Sequence, residues 1–399
     1  LENLSGLIVG QFTEYEEDCS LGKELYAALA DLVKEYDYPV CFNFPVGHVT
    51  HNLPLLNGSQ VTLSVNDKEV EMKTKPMILL TSAFMLFSVM ACGGSTKVSP
   101  TNEQEKKTVV NVPQFHADSA FLYVKEQVDF GPRVPNTQGH VACGNYLAQR
   151  LKEFGAQVTD QYADLIAYDG TLLKARNIIG SYKPESKKRI ALFAHWDTRP
   201  WADNDPDKKN HQTPILGAND GASGVGVLLE IARQIQTEQP ALGIDLILLD
   251  AEDYGAHGQN DENSWCLGAQ YWGRNPHADN YNARFGILLD MVGGENTVFM
   301  KEYYSENFAP DINKKIWKAA KKAGYGHLFI NEEGGGVTDD HLFINRLARI
   351  KTIDIIGSDP KEGGFAPTWH TLNDTMDHID KNTLKAVGQT VLEVIYNEK

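Results

Sequence analysis

The stretch Ile247-Leu248-Leu249-Asp250-Ala251-Glu252-Asp253-Tyr254-Gly255 constrains this chain more than any other. Its apolar opening carries no helical period, which predicts a buried strand of a parallel sheet. Three carboxylates follow within four residues, and Gly255 comes soon after. In open α/β sheets, ligands gather just past the carboxyl ends of the strands. Neighbouring acids there repel unless something cationic sits between them. Taken alone, the stretch reads equally well as a solvated acidic turn.

Four more segments decide the matter. His195-Trp196-Asp197-Thr198 follows the apolar run Ile190 to Ala194. Gly217-Ala218-Asn219-Asp220-Gly221-Ala222-Ser223-Gly224 opens a helix, which would turn Asp220 toward the same sheet edge. Asp290 ends Ile287-Leu288-Leu289, and Trp369-His370-Thr371 comes last, with Asn373-Asp374-Thr375 behind it. A lone histidine at a strand end is usually structural, and an aspartate before a helix is usually an N-cap. Five such sets in one chain, most of them after an apolar run, are hard to explain by packing. Buried acids need pairing or a cation, and a histidine-plus-carboxylate set suits zinc.

The rest of residues 109–399 alternates strand and helix. Asn177 to Ser181, Arg189 to Ala194, Asp245 to Asp250, Phe285 to Asp290 and Ile350 to Ile356 read as strands. Asp118 to Val128, Gln138 to Phe154, Ser223 to Ile235, Ile312 to Ala323 and Leu384 to Tyr396 read as helices. This alternation predicts the α/β class, a three-layer sandwich with a mostly parallel central sheet. The formal charge of -16 leaves no basic surplus for nucleic acid. Five cysteines make no CxxC pair. Cys143 and Cys266 are the two that a disulfide would join in an oxidising compartment.

The 399 residues are expected to hold more than one unit. Residues 1–71 contain a helical stretch from Leu21 to Tyr36, a short strand from Pro39 to Phe44, and a hairpin of Val61 to Val65 with Val70 through Asn66-Asp67. Phe44-Pro45-Val46-Gly47-His48-Val49-Thr50-His51-Asn52 resembles the end of an LD-carboxypeptidase of the serine-peptidase type. That resemblance implies that His48 is a triad base whose nucleophile and acid lie upstream of this segment. At Met72 a basic start, Met72-Lys73-Thr74-Lys75, leads into a short apolar run and then Ala91-Cys92. Residues 72–92 have the layout of a secretory signal, and the run is short for a membrane span. The Ala91-Cys92 junction resembles a bacterial lipobox, which implies lipidation at Cys92 and a place in the cell envelope. Residues 93–108 read as a polar linker. Two neighbouring coding segments joined in one frame are the expected origin of this arrangement, the first opening on Leu1 rather than Met.

His-x-Asp-Thr, Gly-Ala-Asn-Asp-Gly-Ala-Ser-Gly, Ala251-Glu252-Asp253 and the late Trp-His-Thr resemble the zinc aminopeptidase superfamily known as the M28 peptidases, over residues 113–399. Phe365-Ala366-Pro367-Thr368-Trp369-His370, Thr338-Asp339-Asp340-His341 and Phe130 to Val134 resemble its bacterial glutaminyl cyclase branch. The resemblance implies one zinc per chain, held by Asp220, Asp253 and His370, with Asp253 standing where animal cyclases have glutamate. It implies Glu252 as general base and acid, with Asp290 and Asp339 in a proton-sharing acid cluster behind it. His195 matches a second-metal ligand of the dinuclear peptidases. Trp369 and Phe365 would wall the substrate pocket, completed by Trp201 or Trp265. The implied reaction cyclises N-terminal glutamine of peptides or proteins to pyroglutamate with release of ammonia. The expected protein is a monomer that meets membranes only through its lipid. The alternatives are a dinuclear zinc aminopeptidase, using His195, Asp220, Asp253, Asp290 and His370, and a non-catalytic binding domain on the same fold.

Overall fold

A computed structural model describes residues 7–10, 25–34, 38–44, 61–65, 70–74 and 111–398, apart from 260, 362 and 363. The chain divides into two compact units, Leu1–Glu103 and Gln104–Lys399. In the first unit β1 (Leu7–Gly10) pairs in parallel with β2 (Val40–Phe44), and α1 (Leu25–Val33) lies between them in sequence. β3 (Val61–Val65) and β4 (Val70–Thr74) form the hairpin that the apolar runs around Asn66-Asp67 predict. β4 runs across the junction expected at Met72, so Met72, Lys73 and Thr74 pair with Leu63, Thr62 and Val61. His48, Cys92 and the linker 93–108 lie outside the described residues. Among the described residues, no helix is long and apolar enough to cross a membrane.

The second unit opens with α2 (Ala117–Val128) and α3 (Gln138–Glu153), then the hairpin β5 (Gln157–Ile166) and β6 (Leu172–Tyr182). There follow β7 (Arg189–His195), α4 (Ala222–Thr237), β8 (Gly243–Leu249), α5 (Leu267–Arg274) and β9 (Gly286–Asp290). β10 (Val298–Lys301), α6 (Tyr303–Phe308), α7 (Pro310–Ala323), β11 (Phe329–Glu333), α8 (Asp340–Phe343), β12 (Thr352–Ser358) and α9 (Lys381–Asn397) complete it. One eight-stranded sheet results, in the order β11-β10-β12-β9-β7-β8-β6-β5. Its centre, β12-β9-β7-β8, is parallel throughout. The flanking pairs β6-β8, β5-β6 and β10-β12 are antiparallel. The sheet is therefore mostly parallel, with helices on both faces, as the alternation of elements predicts.

Every residue of β7, β8 and β9 is buried, which explains their unbroken apolar text. Alternate side chains still part to opposite faces. Ile190, Leu192 and Ala194 join the larger core under α2, α3, α4, α7 and α9. Ala191 and Phe193 join the smaller one with Trp272 of α5 and Phe343 of α8. The three central strands β8, β7 and β9 end side by side, so residues just past Leu249, His195 and Asp290 meet at one edge. α4 starts at that edge after Gly221, whose φ of +94° suits glycine alone. A Cβ there would run into the carbonyl oxygen of Asp197, so this glycine lets α4 begin close against the β7 loop.

Cys143 and Cys266 do not pair: both are free, buried thiols. Cys143 sits on α3, and Cys266 stands at the start of α5, where its backbone is left-handed at φ +56°.

Three buried aromatic rings, Phe193, Trp272 and Phe343, fill the smaller core together with branched aliphatic side chains. Phe193 is fully buried on the central strand and meets the Trp272 ring edge-on at 5.3 Å. Phe193→Ala is expected to cost about 3–5 kcal/mol in reversible denaturant unfolding. A loss below about 1 kcal/mol would mean that the cavity collapses freely around the missing ring.

Candidate active site and metal centre

The turn after β8 sorts its three acids by direction. Asp250 points away from the edge and is satisfied: His140 Nε2 lies 2.8 Å from one carboxylate oxygen, and the Arg176 and Ala251 backbone amides donate to it. Ala251 then takes a left-handed φ of +53°. Asp197, wholly buried, accepts from the amides of both Glu252 and Asp253. With the backbone held there, both side chains line a cavity of about 240 Å³.

Asp220 is placed by the same device. Asp374 accepts from the amides of Asn219 and Asp220 at 2.7 and 3.0 Å. Arg133, fully buried, donates to the carbonyls of Trp196, Leu216 and Gly217 and so ties the β7 loop to the turn before Asp220. His370 arrives from the far end of the chain with φ +55°. Its Nε2 lies 3.1 Å from Asp253 Oδ1 and 3.5 Å from Asp220 Oδ2.

Asp220, Asp253 and His370 bring one ligand atom each within 4.8 Å of one another. Asp220 Oδ2 and both oxygens of Asp253 are buried without a hydrogen-bond partner. Orphaned buried carboxylate oxygens are costly unless a cation satisfies them. One nitrogen and two carboxylate donors form a set that zinc accepts. On the other side of the ring, His370 Nδ1 faces Asp203 Oδ1 at 3.3 Å, the carboxylate support usual behind a metal-bound histidine. The residues present therefore fit a divalent cation. A second set, His195, Asp220 and Asp290, meets the same distance criterion and shares Asp220. His195 Nε2 lies 3.1 Å from Asp220 Oδ1 and 3.2 Å from Asp290 Oδ1.

Electrostatics follow from burial. Glu252 is held well above the usual carboxylate range, first by burial and then by the negative charges of Asp253, Asp339 and Asp340, against the pull of His195. Burial and then Asp290 raise Asp339 to about 6. Burial alone would lower His370, but Asp253, Asp203 and Asp220 raise it to about 9. A dication among these groups would pull all of them down again.

The cavity is lined by Asp220, Glu252, Asp253, Asp290, Asp339 and His370 on its polar side. Trp265, Phe365, Trp369, Met291, Val337 and Ile356 supply the apolar side. Trp369 stacks on His370 at 3.9 Å between ring centres and meets Phe365 at 4.6 Å. Of the two tryptophans expected to complete the wall, Trp265 lines the cavity and Trp201 does not. Trp201 packs instead against Tyr254 and Tyr168. Gly255 makes room for Trp265, because any Cβ there would fall inside the indole ring. His195 lies outside the lining, behind Asp220 and Asp290.

Arg199 is the residue that sequence reasoning missed most plainly. It is 1% exposed and donates to the carbonyls of Asp253 and Gly255 and to Asp203. Its guanidinium lies over Trp265 at 4.8 Å and over Trp201 at 5.3 Å. One cation thus braces the Asp253 turn, the carboxylate behind His370 and the pocket wall. The signal in the text was an arginine two residues beyond the His-x-Asp motif, too slight to read without the fold.

Two family models match the chain. Peptidase family M28 covers residues 177–395, and the LD-carboxypeptidase C-terminal domain covers residues 1–63. The chain is 80% identical to the Bacteroides thetaiotaomicron glutaminyl cyclase solved with N-acetylhistamine bound, over 72% of this chain and 100% of that one, at a TM-score of 0.71. It is 54% identical to Tannerella forsythia glutaminyl cyclase, over 72% of this chain and 100% of that one, at a TM-score of 0.70. It is also 27% identical over 273 residues to aminopeptidase YwaD of Bacillus subtilis; the match takes in 66% of this chain and about half (54%) of that protein's length. With Asp220, Asp253 and His370 drawn together at one sheet edge and more than half of its length matched, the chain belongs to peptidase family M28.

Proposed function

We propose that this chain cyclises N-terminal glutamine of peptides and proteins to pyroglutamate and releases ammonia. The observation that carries the reading is the lining of the cavity. An aromatic wall of Trp265, Phe365 and Trp369 lines the same space as the acids, a space on the scale of one residue. A glutamine side chain can lay its methylenes on that wall and bring its amide to the acidic side. The high identity to two bacterial glutaminyl cyclases supports the same reading.

Asp220, Asp253 and His370 would hold zinc, which supplies Lewis acidity at the side-chain carbonyl. The chain's own groups do the rest. The aromatic wall folds the substrate so that its α-amine nitrogen reaches the side-chain carbonyl carbon. Glu252 takes a proton from that amine as the new C–N bond forms. As the old C–N bond breaks, Glu252 returns the proton to the leaving nitrogen, and ammonia departs. Asp339 and Asp340, buried nearby, surround the base with further acids and keep its affinity for protons high, and Asp290 acts on Asp339 in turn. No water enters the balance, and the apolar wall helps to exclude it.

A second reading, a dinuclear aminopeptidase, is favoured by one observation: His195, Asp220 and Asp290 form a second complete ligand set. There Glu252 would activate a water instead. Ammonia release from a Gln-peptide, set beside amino-acid release from a Leu-peptide, separates the two.

The roles of the adjacent acids are tested by metal analysis with kinetics. Glu252→Gln is expected to keep one zinc per chain and lose roughly 10²–10⁴-fold in turnover. Asp253→Ala is expected to lose zinc and activity together. Zinc lost from Glu252→Gln but kept in Asp253→Ala would reverse the assignment, and two tightly held zincs in the parent would favour the aminopeptidase.

For the leading segments, we infer that residues 1–71 are dispensable and that Cys92 is lipidated when translation starts at Met72. The motive for the first is that the LD-carboxypeptidase match covers a C-terminal domain alone. A chain starting at Ser95 should retain the activity of the chain starting at Leu1; a large loss would sink the idea. For the second, the basic start, short apolar run and Ala91-Cys92 junction point to the bacterial cell envelope. Cys92→Ser should abolish acyl labelling and release the protein from membranes, and unchanged membrane association would count against it.

A further inference from the structure

Glu252 is nearly buried, yet its carboxylate has little to hold it. Among the described residues, the one hydrogen bond it receives comes from Cys266, whose Sγ lies 3.2 Å from Glu252 Oε1. We propose that Cys266 is a positioning residue for Glu252, its thiol pinning one carboxylate oxygen so that the other faces the cavity. The proposal rests on the reading of Glu252 as the proton-transferring group.

The backbone is built around this contact. The Cys266 amide donates to the Glu252 carbonyl at 2.9 Å, and the Leu267 amide donates to the Ala251 carbonyl at 3.0 Å. Ala251 and Cys266, facing each other across these bonds, both adopt left-handed φ values, +53° and +56°. Such conformations cost free energy in residues with a Cβ and persist where the surroundings impose them. Gln270 locks the turn from below, donating to the carbonyls of Asn263 and Trp265. This arrangement holds the Cys266 backbone beside that of Glu252, within reach of the carboxylate.

The choice of a thiol has a chemical reason. Burial, reinforced by the charges of Glu252, Asp340 and Asp339, pushes the Cys266 thiol well above its ordinary value, so it stays protonated and can donate. An S–H group is a weak donor, so it orients a carboxylate while taking little from its basicity. Asp339 is close by, with a ligand atom within 4.8 Å of both groups. Without the thiol, Glu252 would be free to turn toward Asp339 and share a proton with it instead of taking one from substrate. A buried cysteine is often a small apolar filler. The two roles differ in what they predict for serine and alanine at this position.

The test compares Cys266→Ala, Cys266→Ser and the parent for kcat, KM, zinc content and thermal midpoint, on a Gln-peptide and on a Leu-peptide. Cys266→Ala is expected to lower kcat about tenfold, a part of what general acid–base transfer contributes, with KM within about twofold and one zinc retained. Cys266→Ser, which restores a donor, should recover kcat to within about threefold of the parent. In the Glu252→Gln background, Cys266→Ala should add no further loss, because the pair acts as a unit. Parent-level kcat in the alanine variant overturns the proposal, as does serine behaving no better than alanine, or a full additional loss in the Gln background. A loss that comes with missing zinc, or with an equal fall of thermal midpoint in both variants, assigns the thiol to packing and overturns it as well. If the parent releases no ammonia but cleaves the Leu-peptide, the cyclase reading fails, while the same comparison on that substrate still judges Cys266.

Discussion

Five carboxylates crowd one edge of this sheet: Asp220, Glu252, Asp253, Asp290 and Asp339, none more than 9% exposed. Such a set cannot all be ionised in a medium of low polarity without positive charge nearby. Much of the surrounding structure is a response to that constraint. Backbone amides are spent on the supporting acids Asp197 and Asp374, which leaves Asp253 and Asp220 with unmatched oxygens. Arg199 brings a permanent cation to 3.5 Å from Asp253 Oδ1, yet its hydrogen bonds go to Asp203 and to two carbonyls, so it braces the site without filling it. What remains is a deficit of positive charge centred between Asp220, Asp253 and His370, which is the physical meaning of a metal site.

Backbone strain marks the same place. Left-handed residues other than glycine stand at several of these groups: Ala251 before Glu252, Met291 after Asp290, Cys266 beside Glu252, and His370 itself. Each turns a strand end or loop more sharply than an ordinary residue prefers. The central parallel strands can hold such turns because their own positions are buried throughout and packed from both faces.

Sequence reading succeeded where burial is complete and failed where it is partial. β7, β8 and β9 are visible as apolar runs because neither face meets water. β5 was missed, since an edge strand alternating between exposed and half-buried positions reads as polar loop. α5 was missed for another reason: it begins at a left-handed cysteine with no side-chain cap, and two glycines interrupt its short text. The acids and histidines that meet at the sheet edge were legible in order because most of them follow apolar runs. The choice between Trp201 and Trp265 was not, because it depends on Gly255 making room for one indole and Arg199 lying between the two. A disulfide between Cys143 and Cys266 rested on cysteine chemistry alone, and the fold puts one thiol on α3 and the other against Glu252.

The three residues that converge at the deficit are widely separated along the chain, at positions 220, 253 and 370. A cation gripped by all three would be a cross-link, closing one loop of 33 residues (253 − 220) and another of 117 (370 − 253). Like any cross-link made late, it would gather strands and helices whose order along the chain is remote, and closing long loops costs entropy that grows slowly with their length. The ion would then belong to the folded chain alone, since an extended chain cannot bring the three together, and each occupied site would hold the ends of β8, α4 and the last loop in register. In that sense the chemistry at the sheet edge doubles as a clasp on the fold's topology.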